Sequence, residues 1–313
     1  MELVHAHQVP FEELLNETID VLIAACGAES RSSHIITQSH FNSRRKIALL
    51  FETETLGDET FAKNEAIFKS NGFECIVMQG DSSDDILTVL DSVCRNGNFG
   101  NIKLLVDYSS MSKMWYATII NYFAFNDLEY NNLVVYFCYT PEHFFPNAAK
   151  KGKLPKPEPV FFNRPSINEN KPVALVVGLG YDESKVNFVC DFFKPKDVYF
   201  FLPNPSFDDN YTQMARTNNR TVLSEIRSSN LYSYAAKNIE EIDSKLTSLC
   251  LNLRLNFRVV LISLGPKTFS LASFLLNARY PDIEIWNICA YDNKFDLKPD
   301  GVPVVYKAIL SGE

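Results

Sequence analysis

The sequence predicts an α/β protein of two lobes, each built on a mainly parallel sheet. Three observations predict it. Short apolar runs such as Leu104-Leu105-Val106 and Val259-Val260-Leu261-Ile262 alternate with longer segments of helical character, which is the pattern of parallel strands joined by crossovers. Twice such a run stops at a polar cluster and an apolar helix follows at once: Asp107-Tyr108-Ser109-Ser110-Met111-Ser112-Lys113, and Gly265-Pro266-Lys267-Thr268. The pattern then restarts at Val173, beyond a stretch rich in proline.

Taken in order, a strand at Asp20 to Ala25 ends in the turn Cys26-Gly27-Ala28-Glu29-Ser30-Arg31-Ser32-Ser33, and a helical stretch begins at about His34. Strands follow at Lys46 to Phe51, Phe73 to Met78, Lys103 to Val106 and Leu133 to Tyr139. Helices at about Glu59 to Ser70, Asp84 to Cys94 and Met111 to Phe125 separate them. From Pro141 to Pro172 seven prolines alternate with Lys150, Lys151, Lys153 and Lys156, a density that blocks regular structure and predicts a connector with solvated lysines. Beyond it come Val173 to Val177 with Gly178-Leu179-Gly180, a helix, a strand at Asp197 to Leu202, a helix at about Ile239 to Leu255, and strands at Arg258 to Leu264 and Ile283 to Cys289. The expectation is a Rossmann-like domain at 1–140, a connector at 141–172 and a second Rossmann-like domain at 173–313, laid out as an internal duplication.

The 313 residues are enough for two cores, and a 46% hydrophobic content is enough to fill them. A net charge of -8 argues against nonspecific grip on duplex nucleic acid, whose affinity comes from phosphate neutralisation by Lys and Arg. A small anion in a locally basic pocket stays compatible with it. Seven widely spaced cysteines, mostly within apolar runs, read as buried thiols of a reducing compartment, so a cytoplasmic protein is expected. No basic-then-apolar leader and no apolar stretch of membrane-spanning length is evident, so no membrane partner is expected. His5 and His7 lack neighbouring ligands at metal-site spacing and read as disordered or surface residues; no metal and no cofactor is expected.

Four turns carry the candidate chemistry. In the first, Gly27 permits a tight bend, Ser32 can cap a helix or donate to a phosphate, and Arg31 offers a fork suited to phosphate or carboxylate, with Glu29 beside it. In the second, Asp107 can accept from a ribose hydroxyl, Ser109 can donate to a phosphate, and Lys113, about one turn into the helix, supplies a compact positive charge. Gly178, Gly180 and Asp182 form the third, where two glycines admit a ligand close to the backbone. In the fourth, Gly265 and Pro266 make a rigid turn that sets Lys267 and Thr268 at a helix N-terminus, where anions are favoured. Neither a dinucleotide glycine triplet nor a P-loop is present. The plainer reading of the first two turns is helix capping with solvated charges.

The Asp-x-Ser-x-x-x-Lys run at 107–113 resembles the later-strand motif of CRISPR-associated Rossmann fold (CARF) sensor domains, and Gly27 to Ser33 is similar to their first turn. The match covers the N-terminal half; the second half is similar in layout alone. The resemblance implies a sensor of prokaryotic antiviral defence that binds a cyclic oligonucleotide or related nucleotide second messenger, commonly in a cleft across a homodimer. No Asp...Glu-x-Lys nuclease core and no suitably placed Arg-His pair follows the lobes, so the effector is expected on a separate subunit. Two alternatives stand beside it. One is a metal-independent phosphodiesterase of ring-nuclease type, in which Lys113 or Lys267 stabilises developing charge, although no His stands in these loops to act as base. The other is a non-catalytic interaction subunit that uses the proline-rich segment and an aromatic surface.

Overall fold

The computed structural model describes residues 1–52, 58–80, 83–94, 101–126, 128, 130–144, 154–161, 170–288 and 297–312. The first stretch of the chain forms β1 (Glu2–Val9), α1 (Phe11–Leu15), β2 (Ile19–Cys26), α2 (His34–Gln38), β3 (Ser43–Phe51), α3 (Glu59–Ser70), β4 (Glu74–Met78), α4 (Ser83–Cys94), β5 (Asn101–Asp107), α5 (Lys113–Phe125) and β6 (Asn132–Tyr139). The second forms β7 (Glu158–Pro159), β8 (Val173–Gly178), α6 (Glu183–Phe193), β9 (Asp197–Pro203), α7 (Asp209–Asn218), α8 (Arg220–Glu225), β10 (Leu231–Tyr234), α9 (Ile239–Leu253), β11 (Arg258–Ser263), α10 (Lys267–Arg279) and β12 (Glu284–Asn287). A last strand, β13, runs Val304–Ser311.

Two sheets hold these strands, ordered β1-β13-β6-β5-β2-β3-β4 and β10-β9-β8-β11-β12-β7. The neighbours from β6 to β4 and from β10 to β12 pair in parallel, while β1, β13 and β7 join antiparallel. Counted along the chain, each five-stranded parallel core therefore has the order 3-2-1-4-5, with its antiparallel addition beside the fifth strand. This is the Rossmann-like arrangement in both lobes, and it puts the point where strand order reverses between β2 and β5 in one sheet and between β8 and β11 in the other.

The parallel strands form where apolar residues run without alternation, because helices cover both faces. Val21 to Cys26 and Ala174 to Gly178 are buried at every position. The helices that follow β5 and β11 are buried around most of their circumference: Trp115 to Ala124 apart from Asn121, and Thr268 to Asn277. Trp115 has no exposure, and its indole stacks on Phe51 with ring centroids 4.1 Å apart. Asp58, Ser112, Asp182 and Asn238 cap α3, α5, α6 and α9 by accepting from first-turn N-H groups. The cap at Ser112 starts α5 at Lys113, two residues later than the apolar pattern alone predicts, so Lys113 opens the helix rather than standing a turn inside it.

The chain divides into two compact units, Met1–His143 with Lys294–Glu313, and Phe144–Asn293. That differs from the expected boundaries at 141–172 and 173–313. The tail returns to the first sheet, where β13 fits between β1 and β6 over eight register pairs with β6. The reason is physical: without β13, β6 would present an open edge of unpaired backbone groups beside an apolar face. Within the expected connector, 145–153 and 162–169 lie outside the described residues, Glu142 bridges to Pro299 in the first unit, and β7 pairs with β12. His5 and His7 lie on the edge strand β1 with rings stacked 4.7 Å apart, His5 exposed and His7 half-buried, so they stand in regular structure and not in a disordered segment. Among the described residues no helix is long and apolar enough to cross a membrane.

Candidate functional site

In a sheet of this order, the loops leaving the first and fourth parallel strands diverge and open a crevice at the strand ends. All four turns singled out in the sequence are loops of this kind. Gly27 to Ser33 follows β2, Asp107 to Lys113 spans the end of β5 and the start of α5, Gly178 to Asp182 follows β8, and Gly265 to Thr268 follows β11.

In the first unit the two turns meet. Glu29 accepts from Arg31 Nε at 2.8 Å on its own turn and from Ser110 Oγ at 3.0 Å on the other. Arg31 is 1% exposed, far from the solvated fork that a Ser-rich turn implies. Its guanidinium forms ion pairs with Glu29 and Glu142, donates to the Tyr139 hydroxyl at 3.4 Å, and lies 5.7 Å from the centroid of that ring. Its backbone N-H donates to Leu297 O at 3.0 Å. Burial by itself would lower the guanidinium pKa, but Glu142 and Glu29 more than offset that and hold it above the usual range. Burial, then Glu142, likewise keeps the Tyr139 phenol protonated. Arg31 thus works as a hub joining the β2 turn, the end of β6 and the returning tail, with its charge already matched by two carboxylates.

The serine hydroxyls of these two turns that the sequence singled out, Ser32 and Ser109, are also engaged internally. Ser32 Oγ donates to Ala25 O at 2.7 Å and accepts from Gly27 N at 3.0 Å. Ser109 N and Oγ both donate to Asp107 Oδ1, and Ser109 Oγ accepts from Thr140 N at 2.8 Å, which ties the β5 loop to the end of β6. Asp107 and Ser109 are 2% and 0% exposed, so the spacing Asp-x-Ser serves here as a buried turn. Asn64, from α3, donates to Gly27 O and Glu29 O at 2.8 Å each and accepts from Ser33 Oγ at 2.8 Å.

The second unit repeats part of this design. Asn219, between α7 and α8, donates to Gly180 O at 2.8 Å, so in both units a buried Asn beyond the second parallel strand fixes a carbonyl of the turn after the first. Asp182 caps α6 through Ser184 and pairs with Lys185 at 3.7 Å. Gly178, Gly180 and Gly265 are demanded by contact rather than by dihedral. A Cβ on Gly178 would meet the Phe269 ring at 2.4 Å, one on Gly180 would meet Leu264 O at 2.1 Å, and one on Gly265 would meet Leu179 O at 2.4 Å. The two loops are backbone to backbone, which leaves Gly180→Ala nowhere to go. A loss of about 2 kcal/mol is expected in denaturant unfolding, and an unchanged midpoint would refute this packing.

Lys113 and Lys267 hold equivalent places. Each is the first residue of the helix after the fourth parallel strand of its sheet, and each is half-buried. Thr268 is fully buried on the first turn of α10. Sequence reasoning missed Asn64, Ser110, Glu142, Asn219 and Tyr234 as members of these sites.

Other chemistries find little support among the described residues. No group of three or more His, Cys, Asp or Glu side chains is gathered closely enough to hold a metal ion. The six described cysteines form no disulfides, and burial pushes Cys94 and Cys190 up to about 11 and Cys250 up to about 12, which leaves these three protonated and poorly nucleophilic at neutral pH. No family model matches the chain, and no curated protein matches it in sequence.

Proposed function

We infer that the chain is a nucleotide-signal sensor of a prokaryotic antiviral defence system, acting in the cytoplasm on a separate effector subunit. The observation that carries this reading is the equivalent placement of Lys113 and Lys267. Each puts a cation at a helix N-terminus beside the crevice of a 3-2-1-4-5 sheet, where helix dipole and ammonium both favour a phosphate. The CARF-like spacing from Asp107 to Lys113 supports a nucleotide over other anions, and the net charge of -8 supports a small ligand over a nucleic-acid polymer. Control of a partner follows when the ligand favours one of two conformations of the protein.

The test is calorimetric titration with linear and cyclic nucleotides. Lys113→Ala and Lys267→Ala are each expected to weaken binding about tenfold to a hundredfold, the worth of one charge-assisted phosphate contact of about 1.5 to 3 kcal/mol. Melting curves must stay near wild type, since neither lysine fills a core. Native mass spectrometry of protein taken from a phage-challenged host should carry a retained nucleotide, and its absence together with silent titrations defeats the reading. One observation favours a second reading, a non-catalytic interaction subunit: Arg31, Ser32, Asp107 and Ser109 all bond to other groups of the first unit and so serve the scaffold.

A further inference from the structure

Among the described residues of the second unit three buried hydroxyls have no hydrogen-bond partner, Thr247 on α9 and, near the turn that opens α10, Tyr234 and Thr268. Tyr234, the last residue of β10, has 0% exposure, and its hydroxyl stands 3.6 Å from where a Cβ on Gly265 would lie. Thr268, the second residue of α10, is equally buried and its Oγ1 is likewise unpartnered. The Tyr234 ring lies against Phe269 and Phe201, with centroids 5.5 and 6.4 Å away, so packing fixes the direction of its hydroxyl toward the turn that opens α10. Folded proteins give nearly every buried polar atom a partner. Here the partner is missing at the strand-end crevice of a sheet with Rossmann-like order, beside a thirteen-residue helix whose N-cap, Pro266, supplies no side-chain acceptor.

We propose that this crevice binds a phosphate group, with the hydroxyls of Tyr234 and Thr268 donating to it at the N-terminus of α10. The groups offered are donors: the two hydroxyls and the backbone N-H of Thr268 on the first turn of α10. Such a set selects an anion. Burial holds the Tyr234 phenol well above its usual range, so it stays protonated and able to donate. In the first unit Thr140 Oγ1 is likewise buried and unpartnered, but there the turn after β2 already sets Arg31 against two carboxylates, and the Ser32 and Ser109 hydroxyls are bonded. This inference rests on the sensor reading and deepens it by assigning a phosphate of the nucleotide to the second unit.

The experiment is calorimetric titration of the intact chain with inorganic phosphate and with linear and cyclic dinucleotides, repeated on Tyr234→Phe and Thr268→Val. Each variant should bind at least tenfold more weakly while melting at or above the wild-type temperature, since neither removes an existing hydrogen bond. Wild-type affinity in both variants overturns the proposal. A lowered melting temperature for Tyr234→Phe with unchanged binding also overturns it, because the hydroxyl then serves an internal water. Binding lost in Lys113→Ala yet kept in Tyr234→Phe moves the ligand to the first unit, which rejects this site and leaves the sensor reading standing. Silence of the wild type toward every one of these probes removes both.

Discussion

Replacing both Glu29 and Glu142 by glutamine is expected to destabilise the first unit by about 3 to 5 kcal/mol, because the change strands the charge of Arg31 in a site with almost no water. The carboxylates themselves keep some solvent contact, at 26% and 39% side-chain exposure, whereas the arginine side chain has 2%. The asymmetry yields a sharper test. Arg31→Met removes the buried charge and leaves behind two carboxylates that water can reach, so it should cost less than the double glutamine variant even though it deletes more contacts. Urea unfolding followed by a probe in the first sheet measures both. The opposite ranking would mean that Arg31 matters chiefly through packing against Tyr139 and the 297–300 segment.

Arg31 also marks the limit of what the sequence can convey. Local pattern predicted the turn after β2 correctly, since an apolar run followed by Gly and Ser has few other outcomes. It could not predict the burial of the guanidinium, because Tyr139 lies 108 positions away and no periodicity connects the two. The same holds for Ser109: its spacing from Asp107 was visible, but its bond to Thr140 belongs to the pairing of β5 with β6. Strands buried on both faces were legible from continuous apolar runs, and the helices after β5 and β11 from the polar clusters before them. Tyr234 gave no signal at all, for an aromatic at a strand end reads as core until its hydroxyl is placed. Strand β1 mixes Glu2, His5, His7 and Gln8 with apolar residues at the sheet edge, so its half-exposed face resembles a terminus without structure.

Truncation after residue 303 is expected to unfold the first unit and spare the second. Strand β13 carries Val305, Tyr306 and Ala308 at 0% exposure and Val304 and Leu310 at 6% and 5%. Burial of a large apolar side chain contributes about 1.5 to 3 kcal/mol, so four such residues are worth about 6 to 12 kcal/mol, comparable to the whole stability of a domain of about 5 to 15 kcal/mol. The deletion also leaves β1 with no partner and opens the backbone of β6, since β13 is the strand that joins them. Hydrogen exchange of the 1–303 chain should therefore lose protection across β2, β5 and β6 while amides of β8, β9 and β11 keep theirs, because every strand pairing of β8, β9 and β11 lies within the second sheet. Protection retained in β5 and β6 would show that the tail merely decorates a sheet stable without it. Loss in both sheets together would show that the two units unfold as one.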